Sequence, residues 1–280
     1  MKWGLACSGG GAPGIAGHLG VLSALEDGGL TPDVIVGASA GGLVAGLWAQ
    51  GATVQQMVSA WRAVAASTWE LVPQEALRLL GFCHPSGTPG LLDLAPVVRR
   101  VWSALGFRMW PVCTPAGWVP GCGVVISDLT TGCAMVAHRG MPSAVAYDSL
   151  GLLTATAAIP GLFSGIRDHN GHLLCDGGLF DDSPVQAARD LGADKVVLVR
   201  IGGGTPTIPS GLSTADLLRI VVTEGLSHTD RAANPNPPDL RVEVATSGAV
   251  LAFTHWGSDY QAGAAAAAQH IDAIRALASN

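Results

Sequence analysis

Short apolar runs that end in glycine alternate with stretches of helical apolar spacing through the first fifty residues. Trp3 to Ser8 reads as an apolar strand closing in a glycine turn. Ile15, Leu19 and Leu22 then recur at helical spacing, and Gly28-Gly29 stops that helix. A second buried strand, Asp33 to Val36, ends at Gly37 and leads into the apolar helix Leu43 to Trp48. This βαβα rhythm predicts an α/β fold: a central, mostly parallel sheet flanked by helices in three layers.

From about residue 61 to 120 the pattern loosens. Trp61, Trp69, Trp102, Trp110 and Trp118 fall here, interleaved with prolines, and helical stretches over Gln74–Leu80 and Leu94–Leu105 are separated by Gly/Pro loops. This Trp/Pro-rich segment reads as a helical insertion over one end of the sheet. Its tryptophans admit two readings, packing of the insertion's own core or docking on lipid. Val124-Val125-Ile126 and Ala134–Ala137 around the turn Thr130-Thr131-Gly132 predict a hairpin. Leu173-Leu174-Cys175 and Lys195–Val199 read as strands, with a helix from Pro184 to Leu191 between them and Ser183 as its cap. Asp181 and Asp182 are read as serving that helix start. An alanine-rich helix closes the sequence. One domain over 1–280 is expected, with a core over about 3–200 and a helical region over about 212–280.

Composition narrows the function classes. Hydrophobic residues make up 49% and charged residues 13%, enough for a large buried core. The net charge is −6 and no Lys/Arg cluster occurs, which argues against a nucleic-acid partner. The six cysteines form no CxxC or Cys/His zinc pattern, so no metal and no cofactor is expected. Glycines interrupt the N-terminus too early for a signal peptide, and no apolar run reaches the roughly 18 residues of a membrane span. A cytoplasmic protein, with at most transient membrane-surface contact, is the expectation.

Three motifs carry chemistry. Gly37-Ala38-Ser39-Ala40-Gly41 follows a strand and opens a helix, the setting of a nucleophile elbow. Gly37 and Gly41 flank the serine because so sharp a turn excludes side chains there, and the hydroxyl projects at a helix N-terminus, where negative charge is favoured. Ser8-Gly9-Gly10-Gly11-Ala12-Pro13-Gly14 also joins strand to helix, and its successive amides suit one anionic oxygen. The same run reads as G-x-G-x-x-G, so a dinucleotide site is a rival. That rival needs an acid at the end of the second strand. Asp27 and Asp33 lie before or at the start of that strand instead. For the base, His138, His169, His172, His228, His255 and His270 offer no loop pattern that points at Ser39. Asp176-Gly177-Gly178, a carboxylate at a strand end, is the better candidate, with Asp128 as runner-up. His18, one turn into a helix, reads as packed or hydrogen-bonded.

Together these motifs, in this order, resemble the patatin-like phospholipase family: a glycine-rich oxyanion loop, a GxSxG elbow and a DG[AG] motif. His18-Leu19-Gly20-Val21-Leu22 resembles that family's HxGVL helix, Ala155–Phe163 its A-S-x-A-x-P-x-x-F segment, and Asp176–Val185 its DGGxxxNxP stretch. The resemblance covers about residues 3–200. It implies a serine hydrolase of acyl lipids (phospholipase A, lysophospholipase or esterase), with Ser39 as nucleophile, Asp176 as base and the amides of Gly10 and Gly11 as oxyanion hole. A patatin-fold protein that binds acyl lipid or a partner and hydrolyses little is the alternative. The family usually has Arg or Lys where Pro13 stands; proline offers neither N–H nor cation, so an oxyanion donor or an ion pair is expected to be missing. An aspartate base further predicts a pH–rate profile without a fall between about pH 7 and 6.

Overall fold

A computed structural model of the chain describes residues 1–67, 93–107, 114–142, 147–202, 236–246 and 253–279. The strands are β1 (Trp3–Cys7), β2 (Val34–Ala38), β3 (Cys122–Asp128), β4 (Cys133–His138), β5 (Ile166–Arg167), β6 (Leu173–Asp176), β7 (Lys195–Ile201) and β8 (Leu240–Val244). The helices are α1 (Gly11–Asp27), α2 (Ser39–Ala49), α3 (Val54–Ser67), α4 (Ala95–Ala104), α5 (Ser149–Thr156), α6 (Val185–Asp190) and α7 (Trp256–Ser279). The expected helix over 74–80 lies outside the described residues, as does 203–235 in the C-terminal region.

The strands form one sheet in the order β5-β6-β3-β2-β1-β7-β8, with β4 also paired to β3. β3, β2, β1, β7 and β8 run parallel, as the βαβα pattern predicts. The hairpin of β3 and β4 is antiparallel, and so are the pairings of β6 with β3 and with β5. β1, β2 and β3 are buried at every position, which is why they read as continuous apolar runs rather than alternating ones.

The β3 register places the site. β2 pairs with Cys122 to Val125 and stops, with Ala38 opposite Val125. β6 pairs with Ile126 to Asp128 from the opposite direction, with Asp176 opposite Ile126. Because β4 occupies the other edge of β3 over Gly123–Asp128, β2 and β6 must share one edge and meet end to end.

Helices cover the sheet on both faces. α1 packs on α7 with backbone close to backbone: a Cβ on Gly20 would collide with the Tyr260 carbonyl, and one on Gly263 with the Gly17 carbonyl. Trp61, Trp102 and Trp118 are almost fully buried and belong to the same core cluster as Leu19 of α1 and Val44 of α2. For these three the lipid-docking reading is therefore wrong, because they have no exposed surface to offer. Trp69 and Trp110 lie outside the described residues. Among the described residues, no helix is long and apolar enough to cross a membrane.

Candidate active site

Ser39 sits at the junction of β2 and α2 with φ 52°, and among the described residues it alone combines a side chain with positive φ. That left-handed backbone is strained for a residue with a Cβ and is the geometry of a nucleophile elbow. The turn is closed by close approach: a Cβ on Gly37 would overlap the Gly41 carbonyl, and one on Gly41 the Cys7 carbonyl. Thr156, at the end of α5, locks the elbow from outside. Its hydroxyl oxygen accepts the Ser39 amide at 3.2 Å and donates to the Val125 carbonyl at 2.6 Å.

Ser39 Oγ donates to Asp176 Oδ2 at 2.8 Å. The other carboxylate oxygen accepts the Gly178 amide at 2.9 Å, and the Asp176 amide is held by the Ala158 carbonyl at 3.0 Å. Asp176 is fully buried and Ser39 6% exposed. Burial pushes the Asp176 carboxyl up to about 7, against the pull of its hydrogen bonds from Ser39 and Gly178. Desolvation thus moves this carboxylate into the range usual for histidine.

The glycine loop after β1 lies against the elbow after β2, as two loops at the ends of adjacent parallel strands must. Gly41 donates to the Ser8 carbonyl at 3.2 Å, and a Cβ on Gly9 would stand 3.3 Å from Ser39 Cβ. Gly10 has φ 145° and Gly11 φ 62°, so the loop needs glycine at both. Neither amide has an acceptor among the described residues. Gly14 donates to the Gly10 carbonyl at 3.1 Å, the first turn of α1. Pro13 is the third residue of that helix, where an N–H has no intrahelical partner in any case. The helix therefore loses nothing through the proline. Gly177 closes in on β3: a Cβ there would overlap the Val125 carbonyl.

The remaining candidates lie elsewhere. Asp128 accepts from Thr130 N and Thr131 Oγ1 and pairs with His172 Nδ1 at 2.8 Å, the turn role rather than that of a base. Asp33 accepts the Trp3 amide at the start of β2, so no acid stands at that strand's far end for a ribose. His18 is buried with Nε2 2.7 Å from the Ser8 carbonyl. A carbonyl only accepts, so Nε2 carries the proton. Burial pulls this imidazole down to about 4, so it is neutral at pH 7. Among the described residues no histidine bonds to Ser39 or Asp176, and no group of three or more acidic, histidine or cysteine side chains could hold a metal.

Two residues at the site escaped the sequence reading. Thr156 follows Thr154 in an otherwise apolar run, and a hydroxyl that does not turn back onto its own helix, as that of Thr154 does to the Leu150 carbonyl, is what sets it apart. Asp182, read as serving the start of α6, reaches the glycine loop. Its Oδ1 accepts the Gly9 amide at 2.9 Å.

Residues 5–108 match the family described as patatin-like phospholipase. Among curated proteins the chain is 30% identical over 217 residues to lysophospholipase NTE1 of Cryptococcus neoformans, covering 74% of this chain and 12% of that protein. It is 26% identical over 214 residues to the neuropathy target esterase sws of Drosophila melanogaster, covering 73% and 13%. An uncharacterised NTE family protein of Mycobacterium bovis is 30% identical over 202 residues, covering 71% and 49%. The chain thus spans about half of the mycobacterial relative and a small part of the other two. The crystal structure of VipD from Legionella pneumophila shares the fold at a TM-score of 0.51 and 15% identity, over 97% of this chain and 67% of that one. Through residues 5–108 the chain is similar to the patatin-like phospholipase family.

Proposed function

We propose that this protein is a serine hydrolase of acyl lipid esters, working through Ser39 and Asp176. One observation carries the reading: a serine hydroxyl in left-handed backbone at a strand–helix elbow donates to a fully buried carboxylate at 2.8 Å. The names of the relatives, lysophospholipase and esterase, support an ester substrate.

In this mechanism the ionised Asp176 takes the Ser39 proton as Oγ attacks the ester carbonyl. Negative charge gathers on the carbonyl oxygen, and the amides of Gly10 and Gly11 at the start of α1 are its donors. Collapse expels the alcohol, which takes the proton back from Asp176, and leaves an acyl ester on Ser39. Water, deprotonated by Asp176, then attacks that ester, and Asp176 returns the proton to Ser39 Oγ as the fatty acid leaves. The Gly178 hydrogen bond holds the carboxylate with Oδ2 toward the serine throughout. Hydrolysis of a chain-length series of p-nitrophenyl esters, a phospholipid and a lysophospholipid tests the reading. Wild type should hydrolyse a subset and take a fluorophosphonate label, with Ser39→Ala and Asp176→Asn folded but at least 10³-fold slower. Folded wild type that hydrolyses none of them and takes no label would sink it.

A further inference from the structure

The peptide groups on either side of Gly9 are held on nearly every polar atom. The Ser8 carbonyl accepts from His18 Nε2 at 2.7 Å and from the Gly41 amide at 3.2 Å. The Gly9 amide donates to Asp182 Oδ1 at 2.9 Å, across 173 residues of sequence. The Gly9 carbonyl accepts from Ser8 Oγ at 3.0 Å, and Ser8 Oγ itself accepts the Ile201 amide at 2.9 Å. A trans peptide is planar with its C=O and N–H pointing opposite ways. Fixing the Gly9 carbonyl therefore fixes the direction of the Gly10 amide.

Asp182 reaches Gly9 on a short, tied segment. From Asp176 the chain makes one tight turn over Gly177–Leu179, with Phe180 and Asp181 both donating to the Gly177 carbonyl. A Cβ on Gly178 would lie 2.9 Å from Asp182 Oδ1 and 3.1 Å from Asp176 Oδ1. A Cβ on Gly9 would stand 2.5 Å from Asp182 Oδ1. One loop thus presents one carboxylate to the serine and a second to the glycine loop.

We infer that Asp182 and Ser8 are positioning residues of the hydrolysis proposed above: they clamp Gly9 from its N–H and C=O ends and so aim the Gly10 and Gly11 amides at the oxygen that becomes negative. The inference rests on that reading of Ser39 and Asp176. Neither residue touches the ester. Asp182 acts through the Gly9 amide, and Ser8 through the Gly9 carbonyl.

The effect belongs to the transition state, so it falls on kcat and leaves KM nearly unchanged. The test compares wild type, Asp182→Ala, Asp182→Asn and Ser8→Ala on one p-nitrophenyl ester, together with the rate of fluorophosphonate labelling, whose P=O oxygen occupies the same place. Asp182→Ala and Ser8→Ala should each lose roughly 10- to 100-fold in kcat and a similar factor in labelling rate, with KM within about twofold. Asp182→Asn retains an acceptor oxygen and should recover most of the loss. A folded Asp182→Ala with wild-type kcat, or an Asp182→Asn as slow as the alanine variant, overturns the clamp. If Asp182→Ala does not fold, Ser8→Ala decides alone; if neither folds, the two residues are structural and the proposal falls. Wild type inert to both substrate and label removes the reaction itself and the clamp with it. Active wild type beside undamaged variants removes only the clamp.

Discussion

Ala38 and Asp176 pair with consecutive residues of β3, Val125 and Ile126, from opposite ends of one strand edge. Both strands end here, at neighbouring β3 positions, and Ser39 turns out of the sheet beside Asp176. The 2.8 Å hydrogen bond between Ser39 and Asp176 is therefore a product of sheet register rather than of two independently placed loops.

The buried position of Asp176 sets the pH dependence of the proposed reaction. The base is active when ionised, so kcat/KM should rise with pH through an inflection near 7 and level off above it. A carboxyl group ionises with little enthalpy, whereas imidazole ionises with a large one. The inflection should therefore stay in place between about 10 and 35 °C. Measuring the profile at both temperatures checks this, and an inflection that falls steeply on warming would assign it to a histidine.

The same burial makes the site a weak point of the fold at high pH. Asp176 has a folded value of about 7 against 3.8 for the free side chain. Between these values the native state holds a proton that the unfolded chain has lost, so stability falls as pH rises through the window. The loss is on the order of 4 kcal/mol and is complete above pH 7. Asp176→Asn abolishes this slope. Its Tm relative to wild type should be clearly more favourable at pH 8 than at pH 5, and an equal difference at both would refute the assignment.

Thr156→Val keeps the shape of the side chain and removes the hydroxyl. The buried Ser39 amide loses its acceptor and the Val125 carbonyl its donor. Each unsatisfied group costs about 1–3 kcal/mol, and the elbow peptide is freed to turn. Denaturant unfolding should show a loss of that size, with kcat down about tenfold. Thr156→Ser should restore most of both; a serine variant no better than valine would show that the methyl, not the hydroxyl, is what counts.

The parallel half of the sheet was legible because strands buried on both faces leave apolar runs, each punctuated by the glycine its exit turn needs. Ser39, Asp176 and the glycine loop were legible for the same reason, as polar or glycine residues at the ends of such runs. The direction of β6 was not. Leu173-Leu174-Cys175 reads alike in either direction, and only the shared edge of β3 makes it antiparallel. The reach of Asp182 to the Gly9 amide was not legible, because an acid ahead of a helix reads as serving that helix while Gly9 is distant in sequence. How far the pKa of Asp176 rises was out of reach as well, since it depends on how completely the fold covers one carboxylate.

The contact between Gly20 and Tyr260 has a consequence for how the chain is made. The helix whose first turn belongs to the glycine loop rests, backbone against backbone, on a helix synthesised far later. A nascent chain still lacking α7 presents a bare, glycine-notched groove along α1 where that helix will lie. The glycine loop thus gains this support only once α7 has been made, and a protein cut short before Trp256 has the serine, the aspartate and the glycines in sequence but not the buttress beneath them.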